Sequence, residues 1–275
     1  MRPILASLTV LALGGPAFAD EPPPPPEATP TAGPSGERVV LPAKRLYAQA
    51  MLELELAKDT AFDPVSFAPD VFYGVTDALT IGLIHSSLGA SGIIGGSGSS
   101  LCFTDKCDGV YNGFGIDGRY QFASGKVSAA ANFGLYVNAF DPFQLAVKLG
   151  VIGRWRPSPS SKLAVDFAPS LVLGLTEREP AMMGGTGNKE VLTIPGTVLY
   201  AVTPKIAAMV QTGLVLPFEN AGDLFFVPLS IGGSYAVNKQ ITAQAAFTFL
   251  HLLGGETLQT GVDARSFTIG GGYAF

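Results

Sequence analysis

The sequence predicts an all-β fold: a closed antiparallel transmembrane β-barrel of about twelve strands in up-and-down order. Three observations carry that prediction. Only 14% of the 275 residues are charged, against ~25% in an average soluble domain, while 47% are hydrophobic. Beyond the N-terminus no run of ~18 uncharged apolar residues exists, so helices cannot supply membrane spans. From Arg45 to Phe275, stretches of residues alternate apolar with small or polar side chains, the period of a strand with one apolar face. A pI near 5 and scattered lysines and arginines argue against a nucleic-acid partner.

Residues 1–19 read as a signal peptide. Arg2 is the only charge, Ile4 to Leu13 is the apolar core, and Ala17-Phe18-Ala19 is a small-x-small cleavage site. Residues 20–43 follow as a proline-rich, disordered periplasmic linker, with Pro22 to Pro26 consecutive. The barrel is expected over 44–275.

The first strand runs through Tyr47, with Leu46, Ala48, Ala50, Leu52, Leu54 and Leu56 on one face and Gln49, Glu53 and Glu55 on the other. Its Ala, Leu, Met and Glu content also suits a helix. A helix there would leave an odd strand count, whereas bacterial single-chain barrels have even numbers. Further strands are anchored at Phe67 and Val71; Leu79 and Leu83; Phe114 and Tyr120; Phe133 and Val137; Leu145 and Trp155; and Leu163 and Leu173. The last five centre on Val198, Val210, Ile231, Phe247 and Ile269.

Connection lengths set the topology. Short turns fall at Thr76-Asp77, Ala123 to Lys126, Pro157 to Ser161, Thr203 to Lys205 and Asn238 to Gln240. Mostly longer, Gly-rich connections lie between them, the habit of outer-membrane barrels. Every strand running toward the short turns ends near an aromatic on its apolar face: Tyr73, Tyr120, Trp155, Tyr200, Tyr235 and Tyr273. Such rings prefer a membrane interface.

The chain finishes on Phe267, Ile269, Tyr273 and Phe275. Here it resembles the Gram-negative outer-membrane β-barrel proteins, a porin-like superfamily, with no narrower family assigned. The resemblance implies residence in the outer membrane among lipid and lipopolysaccharide. It also implies an assembly signal read by the barrel-assembly machinery, in which Tyr73, Tyr273 and the terminal Phe275 take part.

The inward positions are largely Gly, Ala, Ser and Thr, with a thin set of charges: Glu53, Glu55, Asp70, Asp117, Arg119, Lys148, Arg154, Arg156 and Asp166. Small side chains leave space, so one expectation is a narrow porin-like channel for ions or small solutes. The alternative is that the charges pair and block the bore, leaving a structural or interaction barrel without transport. The long loops are acidic and the short turns basic, which would favour cations at the outer mouth.

No cofactor or metal is expected. Gly113 to Gly118 fits G-x-G-x-x-G but lacks a strand-to-helix switch, and the two histidines, His85 and His251, stand alone. Three rim residues suggest a different chemistry. His85, Ser87 and Asn112 have outward parity at the outer end of neighbouring strands and resemble the outer-membrane phospholipase A family. There histidine would deprotonate the serine and the amide would orient the imidazole. Leu88 stands where that family carries an asparagine. An outer-face lipid hydrolase is therefore an alternative; the preferred reading is not an enzyme.

Cys102 and Cys107 lie in one Gly/Ser-rich loop of an exported chain, where disulfides persist, and are expected to bond. Mass spectrometry of unreduced mature protein should find no free thiol; two free thiols would refute the bond.

Overall fold

A strand with one apolar face must bury its polar edges, and twelve of them do so here by closing on themselves. The structure is a computed structural model describing residues 39–57, 61–85, 101–104, 109–178, 188–255 and 261–275. In chain order its strands are β1 (Leu46–Glu55), β2 (Val65–Gly74), β3 (Leu79–Ile84), β4 (Leu101–Cys102), β5 (Phe114–Ala123), β6 (Val127–Phe140) and β7 (Phe143–Trp155). There follow β8 (Leu163–Phe167), β9 (Ser170–Gly174), β10 (Val191–Ala201), β11 (Ile206–Pro217), β12 (Phe226–Ala236), β13 (Ile241–Gly254) and β14 (Arg265–Ala274). One helical turn, α1 (Ala221–Leu224), precedes β12.

All pairings are antiparallel, and β1 pairs with both β2 and β14, which closes the wall. Two of the fourteen strands add no stave. The first, β4, pairs with Ser66 and Phe67 of β2, beyond the point where the shorter β3 stops at Val71, so it patches the wall. The other case is β8 and β9, which are halves of one strand. Their register against β10 is unbroken, with Phe167 facing Gly196 and Ser170 facing Thr193, and the gap falls at Pro169, which has no amide to donate.

Burial alternates strictly along β1, so the segment whose composition also suited a helix is a strand. Its two edges each find a ladder, and that tertiary pairing overrides local propensity.

Three short turns share one construction. The side chains of Thr76, Thr203 and Asn238 accept hydrogen bonds from the amides two and three residues on, fixing a tight reversal. At the opposite end the connection through Asp141 and Pro142 is equally tight, since Phe140 pairs directly with Phe143.

Outward positions carry an exposed apolar band that includes Ile81, Leu83, Ile116, Phe133, Leu149, Val198, Val210, Ile231 and Ile269. At its short-turn border Tyr73, Tyr120, Trp155, Tyr200, Tyr235 and Tyr273 are all exposed. In water such a surface would be an aggregation patch; in a bilayer it is the hydrocarbon face with an interfacial girdle.

Residues 39–43, counted above with the linker, are packed against the barrel. Val39 and Val40 are buried against Ala130 and Ile152 on the inner wall. The rest of the linker and the signal peptide lie outside the described residues.

Trp155 is the single tryptophan and sits at the girdle. In refolded proteoliposomes its emission should be quenched more strongly by headgroup-level probes than by mid-chain ones. Equal or deeper quenching would contradict this placement.

Candidate functional site: the lined bore

The inward face is divided. Among the described residues its charges all sit on β1 to β8: Glu53, Glu55, Asp70, Asp117, Arg119, Lys148, Arg154 and Asp166. The opposite half, β10 to β14, presents neutral polar groups such as Thr193, Thr197, Gln211, Ser230, Thr248, Ser266 and Thr268, interrupted by Leu199, Met209 and Ala246, which cluster with Met51 and Ala164. Period-two alternation places them there, because each occupies the parity opposite the lipid-facing residues.

Asp117 is the hub of the charged half. Its carboxylate accepts from Arg119 Nε at 3.0 Å, Asn132 Nδ2 at 2.9 Å and the Tyr136 hydroxyl at 2.9 Å, and Lys148 Nζ lies 3.0 Å away. A buried carboxylate needs such a set, since desolvation would otherwise disfavour its charge. The cations are held from a second side too: the Arg119 guanidinium lies 4.8 Å from the Phe72 ring centre and Lys148 Nζ 5.0 Å from that of Tyr136.

The large rings lie flat along the wall. A Cβ on Gly82 would overlap the Phe72 ring, one on Gly115 the Tyr136 ring, and one on Gly272 the Tyr47 phenol. The three glycines therefore give each ring a berth against the backbone. Side chains that would otherwise reach across the axis are laid aside, and Tyr47, Phe72, Ile84, Tyr136 and Ala274 form one apolar cluster on that wall.

Two further contacts complete the set. Asp70 accepts from Gln49 Nε2 at 2.9 Å and from the His85 amide at 2.6 Å. Nearer the short turns, Arg154 meets Asp166 through two 2.7 Å hydrogen bonds, from Nε and Nη2, the fork geometry that guanidinium and carboxylate share. The two residues are directly opposite in the β7–β8 register. Glu55 turns back to accept from the Ala57 amide at 3.0 Å, and Glu53 is buried beside it on β1.

Of the nine charges expected in the bore, Arg156 differs. It lies just past β7 and donates to the carbonyls of Pro159 and Ser161, so it clasps a turn instead of lining the passage. The sequence search followed charge alone and so passed over Gln49, Asn132 and Tyr136, neutral donors that sit at the same inward parity.

At the outer rim the His85 ring nitrogens face the Pro69 carbonyl at 2.6 Å and the Tyr111 hydroxyl at 3.1 Å. Asn112 is half-buried one residue beyond Tyr111, and Ser87 falls outside the described residues. Cys102 is buried on β4 and Cys107 lies outside the described residues. Two ion pairs, Arg178 with Glu190 and Lys189 with Glu219, tie outer connections together. The terminal Phe275 packs edge-on against Tyr273, with ring centres 4.4 Å apart.

By sequence the chain matches no protein-family model and no curated protein. Its fold is similar to solved structures. A KdgM porin in complex with disordered oligogalacturonate aligns with a TM-score of 0.56 at 9% identity, over 83% of this chain and 99% of that one. A NanC porin gives 0.56 at 10% identity, over 83% and 98%. An outer-membrane channel from Pseudomonas putida F1 gives 0.51 at 12%, over 86% and 97%. The fold is that of the outer-membrane porins.

Removing one member of the Arg154–Asp166 pair should strand a buried charge. Asp166→Ala is expected to cost about 3–5 kcal/mol in urea unfolding from vesicles, while Arg154→Leu with Asp166→Leu together should recover most of it. A double variant no better than the single one would contradict this account.

Proposed function

We propose that the chain is an outer-membrane channel that passes ions or small solutes and prefers cations. The carrying observation is the neutral half of the bore. Thr193, Thr197, Ser230, Thr248, Ser266 and Thr268 are buried on the inner wall, and among the described residues the hydroxyls of Ser266 and Thr268 find no partner. A row of hydroxyls suits a wall along which hydrated ions pass, whereas a bore that needed only filling would be steadier lined with apolar groups. The porins and the channel that share the fold support the same reading.

Cation preference follows from the charge balance. The bore carries five acids, Glu53, Glu55, Asp70, Asp117 and Asp166, against three bases, Arg119, Lys148 and Arg154, so its field is net negative. The carboxylates of Glu53 and Glu55 lie on the outer part of β1, where an entering ion meets them first.

In this reading residues 1–19 direct export of a Gram-negative outer-membrane protein. Its terminal aromatic residues guide assembly, and a Cys102–Cys107 bond staples an outer loop.

Planar-bilayer recording tests the proposal, using both the full mature chain and a chain beginning at Pro42. Small, cation-favouring conductance is expected, its preference weakening as salt screens the bore. Glu53→Gln with Glu55→Gln should reduce the preference further. Conductance at the lipid background in both chains would sink the channel and favour a structural barrel.

A further inference from the structure

The channel carries its own stopper: we infer that Val39 to Leu41 form an autoinhibitory strap across the short-turn mouth, which must withdraw for the pore to open. The inference rests on the channel reading above.

The strap is anchored at two places on the inner wall of the short-turn mouth. At one the Leu41 amide donates to Thr80 Oγ1 of β3 at 2.8 Å, and the Leu41 side chain packs on the cluster of Tyr47, Phe72 and Ile84. The carbonyl of Pro42 occupies the place where a Cβ on Gly74, the last residue of β2, would stand. At the other Val39 and Val40, only 2% and 5% exposed, pack against Ala130 of β6 and Ile152 of β7, with Ala168 alongside. In the wall, β5 stands between β3 and β6. The segment therefore leaves the wall at β2 and β3 and meets it again at β6 and β7.

Its attachment is that of a removable part. Pro42 has no amide to donate, and the strap's base is held by the Ala43 amide to Asp77 Oδ1 at 3.2 Å, the Lys44 amide to the Gly74 carbonyl at 2.7 Å and the Arg45 amide to the Pro42 carbonyl at 3.2 Å. None of these bonds belongs to the ladders that close the barrel, so the strap can leave without opening an edge. Its apolar residues hold it by burial, a non-directional attraction that a pull on the preceding proline-rich segment can overcome.

Single-channel recordings of four refolded proteins test this: the full mature chain, a chain beginning at Pro42, Gly74→Ala, and Val39→Asp with Val40→Asp. Gly74→Ala leaves the chain at full length, evicts the Pro42 carbonyl and crowds that of Leu41. Retained heat-modifiable gel migration reports that each barrel has folded. The full chain should be mostly closed, and the other three should be open several-fold more of the time. Equal open fractions in all four would overturn the strap and leave the channel standing. No conductance in any folded variant would overturn the channel, and the strap with it.

Discussion

In a bilayer no water is available to satisfy a backbone amide or carbonyl, so every such group at membrane depth must be bonded within the protein. The seam between β1 and β14 meets that demand, running from Tyr47 opposite Ala274 to Glu55 opposite Ser266. Much else follows from closure. An even number of staves returns the last strand to the end at which the first began, and the Phe275 amide bonds to the Leu46 carbonyl there at 2.9 Å. Both ends of the barrel domain therefore lie at the short-turn mouth, and whatever precedes Leu46 is delivered to that opening.

Closure also sets the conditions inside. A period of two that turns apolar groups to lipid turns the alternate positions inward, where small residues alternate with rings, hydroxyls and charges. Charges placed there pay desolvation and must be gathered into sets. Asp117 gathers four donors; Arg154 and Asp166 gather each other. Confining these sets to β1 through β8 leaves the other half without bore charges among the described residues, its hydroxyls paired in part with one another, as Thr248 is with Ser230. Of the two sequence expectations, the pairing of charges is observed, and it is local to one wall.

The barrel was legible because its signals are periodic and repeated. Alternation, turn residues and a common depth of aromatics all report the same geometry, and even the helix-prone first strand followed once strand number was counted. Individual roles were less legible. Parity says that Asn132 and Tyr136 face inward, but that they serve Asp117 depends on the β5–β6 register, which a one-residue slip would erase. Arg156 shows the converse, since parity continues past a strand's end while the backbone does not. The packed segment at 39–43 was hidden by composition. Two β-branched residues and a leucine stood at the end of a proline-rich run, and the run's character was extended over them.

That misreading has a counterpart in the wall. Along β7 the inward residues are Gln144, Ala146, Lys148, Gly150, Ile152 and Arg154. Isoleucine is the odd member: a large branched apolar side chain between a lysine and an arginine, on a face otherwise made for water. Ala130 on the neighbouring strand and Ala168 beyond β8 extend the same apolar spot. A wet mouth gives no reason for such a patch, because each exposed methyl or methylene would cost hydrophobic free energy. Covered by Val39 and Val40, Ile152 is 7% exposed and the mismatch disappears. The apolar interruption in a polar strand and the apolar end of a polar linker are thus two halves of one contact, each unexplained by its own surroundings and accounted for by the other.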